Sequence, residues 1–127
     1  MRIFKFGGAS VKDADGIKNV YDVLQKAGYE DVLLVVSAMG KTTNALEIVI
    51  KNYFEKSAEL SASVQEIKKY HNQILLDLFE NDKDPVFTAV NEQFTDLEYF
   101  LAHNKSPNYN FVYDQIVSFG ELISTTI

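Results

Sequence analysis

The stretch from Met1 to Val36 limits the possible architecture more tightly than anything that follows it. Residues 2–6, RIFKF, are apolar and aromatic and stop at Gly7-Gly8, the pattern of a strand feeding a tight turn. From Lys12 to Ala27 the apolar positions Ile17, Val20, Tyr21, Leu24 and Ala27 recur at helical spacing, and Gly28 supplies a C-cap. Residues 32–36, VLLVV, are apolar without alternation, which predicts a strand covered on both faces. Strand, helix and strand in that order make a βαβ unit, whose strands run parallel with a right-handed crossover.

After Asn44 the periodicity becomes helical throughout. Leu46, Val49, Ile50 and Tyr53 mark one helix, and Leu60, Val64, Ile67, His71, Ile74, Leu75 and Leu78 mark another, with a break over Lys56 to Glu59. Asp84-Pro85 reads as an N-cap followed by proline at the first helical position, opening a helix through Val86, Val90, Phe94, Leu97 and Leu101. The segment HNKSPNYN is a loop. Beyond it Phe111, Ile116, Phe119, Leu122 and Ile123 return to helical spacing, interrupted by Gly120. His71 lies in register with an apolar stripe and reads as a histidine at the edge of the core; Phe79, Phe87, Phe94, Tyr99 and Phe100 read as core aromatics. Stable sheets typically hold about four to six strands, and the closing LISTTI is apolar without a helix stop. The expectation is therefore a part of a longer protein, with residues 1–127 forming the N-terminal part of its domain.

Composition removes several classes of function. A net charge of −6 leaves no basic concentration able to displace counterions from nucleic acid. With no cysteine there are no disulfides and no thiolate metal sites. His71 and His103 lack the spacing of a metal pair, and no metal site is expected. No run reaches the length of a membrane span or has the form of a signal peptide, so a cytoplasmic location without membrane association is the default.

Three clusters carry candidate chemistry. In KFGGAS, residues 5–10, a lysine at the carboxyl end of a strand precedes two glycines, which puts an ammonium beside bare amides where open α/β sheets bind ligands. Phosphate suits that arrangement; a plain turn with an exposed edge lysine is the alternative. In VVSAMGKTTN the run Gly40-Lys41-Thr42 imitates a P-loop, but the position that needs the first glycine is Val35, inside the strand, and the loop is too short to cradle phosphates. What remains is a hydroxyl-rich strand-to-helix turn with Ser37, Thr42, Thr43 and Asn44, fit either for a carboxylate or phosphate or simply for N-capping by Thr42 or Thr43. In SFGELIST, Ser118 and Glu121 have the spacing of a capping box, whereas a functional Glu121 would meet a cationic substrate group.

In this order, KFGGAS, VVSAMGKTTN and SFGELIST resemble the opening of the aspartate kinases of the amino acid kinase superfamily, over essentially the whole chain. One departure is Ala9, where that family usually has threonine. The resemblance implies a partial α/β/α sandwich of the amino acid kinase (carbamate kinase-like) type, with a parallel βαβ start and a helical insert. It implies transfer of the γ-phosphoryl group from ATP with Mg2+ to the side-chain carboxylate of L-aspartate. By resemblance Lys5 neutralises the transferring phosphoryl group, with Gly7, Gly8 and Ser10 near the phosphates. Ser37 and Thr43 would sit near the aspartate, and Glu121 would hold its α-ammonium. The family continues into a nucleotide half with a later aspartate and arginine and then regulatory domains, so these residues alone are expected to be inactive and the parent to be a homodimer or larger. A glutamate or N-acetylglutamate kinase, and a noncatalytic module binding an anion or a partner, are the alternatives.

Overall fold

β1 (Arg2–Phe6) and β2 (Val32–Val36) pair in parallel in the computed structural model, which describes all 127 residues; Arg2 lies opposite Val32 and Phe6 opposite Val36. Between them runs α1 (Ala14–Ala27), and after them come α2 (Thr42–Phe54), α3 (Leu60–Leu78), α4 (Pro85–His103) and α5 (Tyr109–Thr126). This is the expected α/β start followed by a helical insert.

Local chemistry sets most boundaries. The first helix opens two residues later than its periodicity suggests, because residues Gly8–Val11 wind as a 3-10 turn and the Asp13 carboxylate caps α1 by accepting from the Gly16 amide at 2.8 Å. Gly28 closes α1 at φ 79°, a conformation that favours glycine, and its carbonyl accepts from the Arg2 guanidinium at 2.9 Å. Asp84 caps α4 as expected, accepting from Val86 at 3.0 Å with Pro85 in the first turn. Asn108 caps α5 by accepting from Phe111 at 3.0 Å. The loop between α4 and α5 is thereby shorter than the HNKSPNYN segment, since His103 ends one helix and Tyr109 begins the next.

α2 is central to the helical layer, packing on α3 and α5, with α4 closing the far side against α5 and α3. Leu46, Val49, Leu75, Val90, Phe94, Leu97 and Ile116 form the heart of this core and are almost fully excluded from solvent. Each such side chain is worth about 1.5–3 kcal/mol of burial, so the insert supplies most of the chain's apolar stabilisation. A smaller cluster of Val11, Val20, Met39 and Ile74, flanked by Phe6, ties the sheet and α1 to α3.

Two expectations about burial fail. VLLVV is not covered on both faces: Leu33, Leu34 and Val35 are 48%, 42% and 40% exposed. The pattern of a doubly covered strand is present, but the packed helices reach mainly its ends. Tyr99, read as core, lies outside and stacks on His103 at 4.0 Å, because its position falls on the solvent side of α4. His71 goes the other way and is wholly buried.

Candidate active site

The site is built where both strands end. The Ser37 amide donates to the Phe6 carbonyl at 3.0 Å, prolonging the strand pairing by one residue, and the Gly40 amide donates to the Gly8 carbonyl at 3.1 Å. The two glycine turns are thus bonded directly to each other. Gly40 sits at φ 54°, which lets the chain reverse into α2. Gly8 is required for a different reason: a Cβ there would lie 2.8 Å from the Gly40 carbonyl oxygen and 3.2 Å from that of Ala38. Gly7 has neither constraint. Its φ of −76° suits any residue, and a Cβ would meet nothing within 4 Å. The space over Gly7 is therefore open to a group from outside the chain.

Lys5 is exposed and pairs in register with Val35, so both leave the sheet on one face. The one ion pair of the chain joins the Met1 ammonium to Asp31 at 3.2 Å, beside the Arg2–Asp31 end of the sheet, so Lys5, Lys12, Lys41 and Glu121 take part in none. Ser10 is exposed at the far end of the first turn.

The second turn delivers an open helix end. Lys41 is the N-cap of α2 and makes no side-chain cap bond. N-capping by Thr42 does not occur, because its hydroxyl is buried and donates to the Met39 carbonyl at 2.6 Å, locking the turn rather than accepting from the helix. The amides of Thr43 and Asn44 have no backbone partner, whereas those of Thr42 and Ala45 bond to Met39 and Lys41. An uncapped helix N-terminus concentrates partial positive charge and favours an anion. Thr43 itself is half-buried at this end.

α5 brings the third motif to the same place, and Gly120 is the means. A Cβ on Gly120 would come within 2.9 Å of Ala38 Cβ and 3.5 Å of Thr42 Cγ2, so the missing side chain lets α5 lie against the second turn. Glu121 is the next residue, half-buried. The capping-box reading of Ser118 and Glu121 is overturned, since Ser118 lies well inside α5 and donates to the Gln115 carbonyl at 3.0 Å. The interruption expected at Gly120 is also absent: the helix runs through it.

Lys12 and Tyr70, which sequence reasoning missed, and Lys41, set aside there with the P-loop, line a cavity of about 620 Å³ next to the two turns with Ala9, Thr42 and Ile67. The Tyr70 hydroxyl donates to the Lys12 carbonyl, a contact between residues 58 positions apart that no local pattern announces. Burial and the nearby Asp13 carboxylate both raise the pKa of Tyr70, which keeps the hydroxyl a donor. No group of three His, Cys, Asp or Glu side chains converges in the chain.

Two bonded glycine turns stand at the carboxyl ends of parallel strands, with a lysine on the first strand and an uncapped helix after the second, an α/β arrangement whose chemistry suits an anion. The description "Amino acid kinase family" matches residues 1–127, and the chain belongs to that family. Its relatives narrow the class. The chain is 32% identical over 128 residues to Aspartokinase 1, chloroplastic, of Arabidopsis thaliana, with 98% of this chain and 22% of that protein covered. It is 29% identical to Bifunctional aspartokinase/homoserine dehydrogenase 2 of Escherichia coli (strain K12), covering 99% of this chain and 15% of that protein. The fold matches E. coli aspartokinase III, solved in complex with aspartate and ADP in the R-state, with a TM-score of 0.76 at 23% identity, over 98% of this chain and 27% of that one. Clostridium acetobutylicum aspartate kinase gives a TM-score of 0.75 at 18% identity. The chain thus spans about a quarter or less of the length of these relatives.

Proposed function

We propose that this chain is the N-terminal part of an aspartate kinase, which transfers the γ-phosphoryl group of ATP to the side-chain carboxylate of L-aspartate and yields 4-phospho-L-aspartate for lysine, threonine and methionine biosynthesis. The observation that carries the reading is the junction of the two turns: open space over Gly7, the Gly40–Gly8 bond and the unpartnered amides of Thr43 and Asn44 all meet at one end of the sheet. The aspartokinase relatives, and a solved neighbour holding aspartate and ADP, support the choice of substrates.

Phosphoryl transfer asks a protein for positioning and charge rather than for a nucleophile. A carboxylate oxygen of aspartate forms the new bond to the γ-phosphorus as the bond to the β–γ bridging oxygen breaks, and ADP leaves with that oxygen. Lys5, unpaired, is assigned to neutralise charge on the transferring group. Gly7 and Gly8 offer amides where no side chain intervenes, and Ser10 adds a hydroxyl to the phosphate side. Ser37, Thr43 and the open end of α2 are assigned to the reacting carboxylate, and Glu121 to the α-ammonium. Mg2+ keeps several waters and binds largely through substrate phosphates, so it would arrive with the nucleotide. Ala9 removes one hydroxyl that the family usually places in the first turn.

The test is aspartate-dependent ADP release by the longer protein. Lys5→Ala should lower kcat about 10²- to 10³-fold, the scale for removing one preorganised charge stabiliser. Glu121→Gln should act mainly through the KM for aspartate. Faster turnover of glutamate or N-acetylglutamate than of aspartate overturns the assignment. The 127 residues alone are expected to release no ADP in response to aspartate. A cytoplasmic, homodimeric or larger parent enzyme completes the proposal.

A further inference from the structure

We propose that Tyr70 is a positioning residue for phosphoryl transfer, a latch from α3 that holds the Gly40 turn against the Gly8 turn; this rests on the reading that these turns carry the reacting groups. Tyr70 touches both. Its hydroxyl donates to the carbonyl of Lys12, the residue that ends the first turn. The same oxygen stands 2.6 Å from where a Cβ of Gly40 would be, so it fills the space beside the second turn at its reversal point.

Met39 and Val11 share a small core cluster, but few hydrogen bonds join the two turns. Beyond the strand pairing, the bonds between them are Ser37 to Phe6 and Gly40 to Gly8, and Gly40 is a residue whose backbone is intrinsically free. Tyr70 supplies a third constraint, and it does so from a rigid support. The next residue, His71, is fully buried, with Nδ1 2.8 Å from the Ile67 carbonyl and its ring edge-on to Tyr70 at 5.2 Å and to Phe94 at 5.7 Å. Tyr70 itself is 37% exposed, but it stands on α3 next to a residue anchored in the core of the insert. Tyr70 lines the cavity beside the turns, and the role assigned to it is exerted through Lys12 and Gly40.

Two measurements test the latch. In the 127-residue chain, Tyr70→Phe should speed hydrogen exchange at the Gly40 amide about 5-fold more than at the Phe94 amide in the core, the effect of one neutral hydrogen bond lost locally. In the longer enzyme the same variant should lower kcat about 5-fold while leaving the KM for ATP within about 2-fold, a split that a merely structural role does not produce. Gly40→Ala sets a methyl against the Tyr70 oxygen, so its cost in kcat should be several-fold smaller in the Tyr70→Phe background than in the wild type. Wild-type exchange in Tyr70→Phe, or equal costs of Gly40→Ala in both backgrounds, overturns the latch. A wild-type enzyme without aspartate-dependent ADP release instead overturns the kinase reading, and the exchange rate still decides the latch.

Discussion

Gly7 and Gly8 are adjacent and chemically identical, yet the structure assigns them opposite sensitivities. At Gly8 a methyl would sit 2.8 Å from one backbone oxygen and 3.2 Å from another, both in the Gly40 turn. Backbone cannot rotate away as a side-chain tip can, so Gly8→Ala must push the turns apart and stretch the 3.1 Å Gly40–Gly8 bond. Overpacking of this kind costs about 1–3 kcal/mol, and losing the hydrogen bond adds about 1 kcal/mol, for a total of about 2–4 kcal/mol. Gly7→Ala meets open space at an ordinary φ of −76°, and restricting the unfolded chain should leave it neutral or more stable by about 0.4–1 kcal/mol. Urea titration of the two variants gives the comparison directly, since the denaturation midpoint follows stability at constant slope. Activity should reverse the contrast: in the longer enzyme Gly7→Ala, harmless to folding, should raise the KM for ATP because its methyl occupies the space assigned to phosphate. Equal stabilities for both variants would refute the packing argument, and an unaltered KM in a stable Gly7→Ala enzyme would remove phosphate from that space.

Two further expectations concern the buried groups. Burial lowers the pKa of His71 below 6.5, with the Ile67 carbonyl opposing, so the unfolded chain takes up a proton at a pH where the folded chain does not. The stability tied to neutral His71 is thus fully present above about pH 6.5 and declines as pH falls towards the depressed folded value, by at most about 1.4 kcal/mol per pH unit; His71→Leu should flatten the midpoint-versus-pH curve in that window, and an unchanged slope would mean that the imidazole does not titrate there. Gly120→Val forces carbon against Ala38, already 2.9 Å from the position of a Cβ, and should destabilise by about 1–3 kcal/mol; thermal unfolding would show it, and a wild-type midpoint would mean that α5 does not lie on the second turn.

Much of the site was legible because its parts are local. A lysine ending a strand, two glycines after it, and hydroxyls before a helix can be seen along the chain, and rejection of the P-loop at Val35 needed only spacing. What local patterns offered as alternatives was decided by contacts. Thr42 could equally have capped α2 or locked the turn; its bond to Met39 settles that. Ser118 and Glu121 have capping-box spacing at any place in a sequence, and only the continuity of α5 shows that no helix begins there.

The sequence by itself determined the elements: periods of apolar residues, the Asp84-Pro85 start and the glycine at 28 act within a few residues, over distances that the chain's own geometry fixes. The tertiary structure alone decided which glycine is a spacer for a neighbour and which leaves room for a visitor, that Gly120 admits α5 to the turn at Ala38, and that Tyr70 clasps Lys12 across 58 positions. Those are contacts between segments far apart in the chain, and their outcome depends on how helices and sheet pack, which no short window of residues contains.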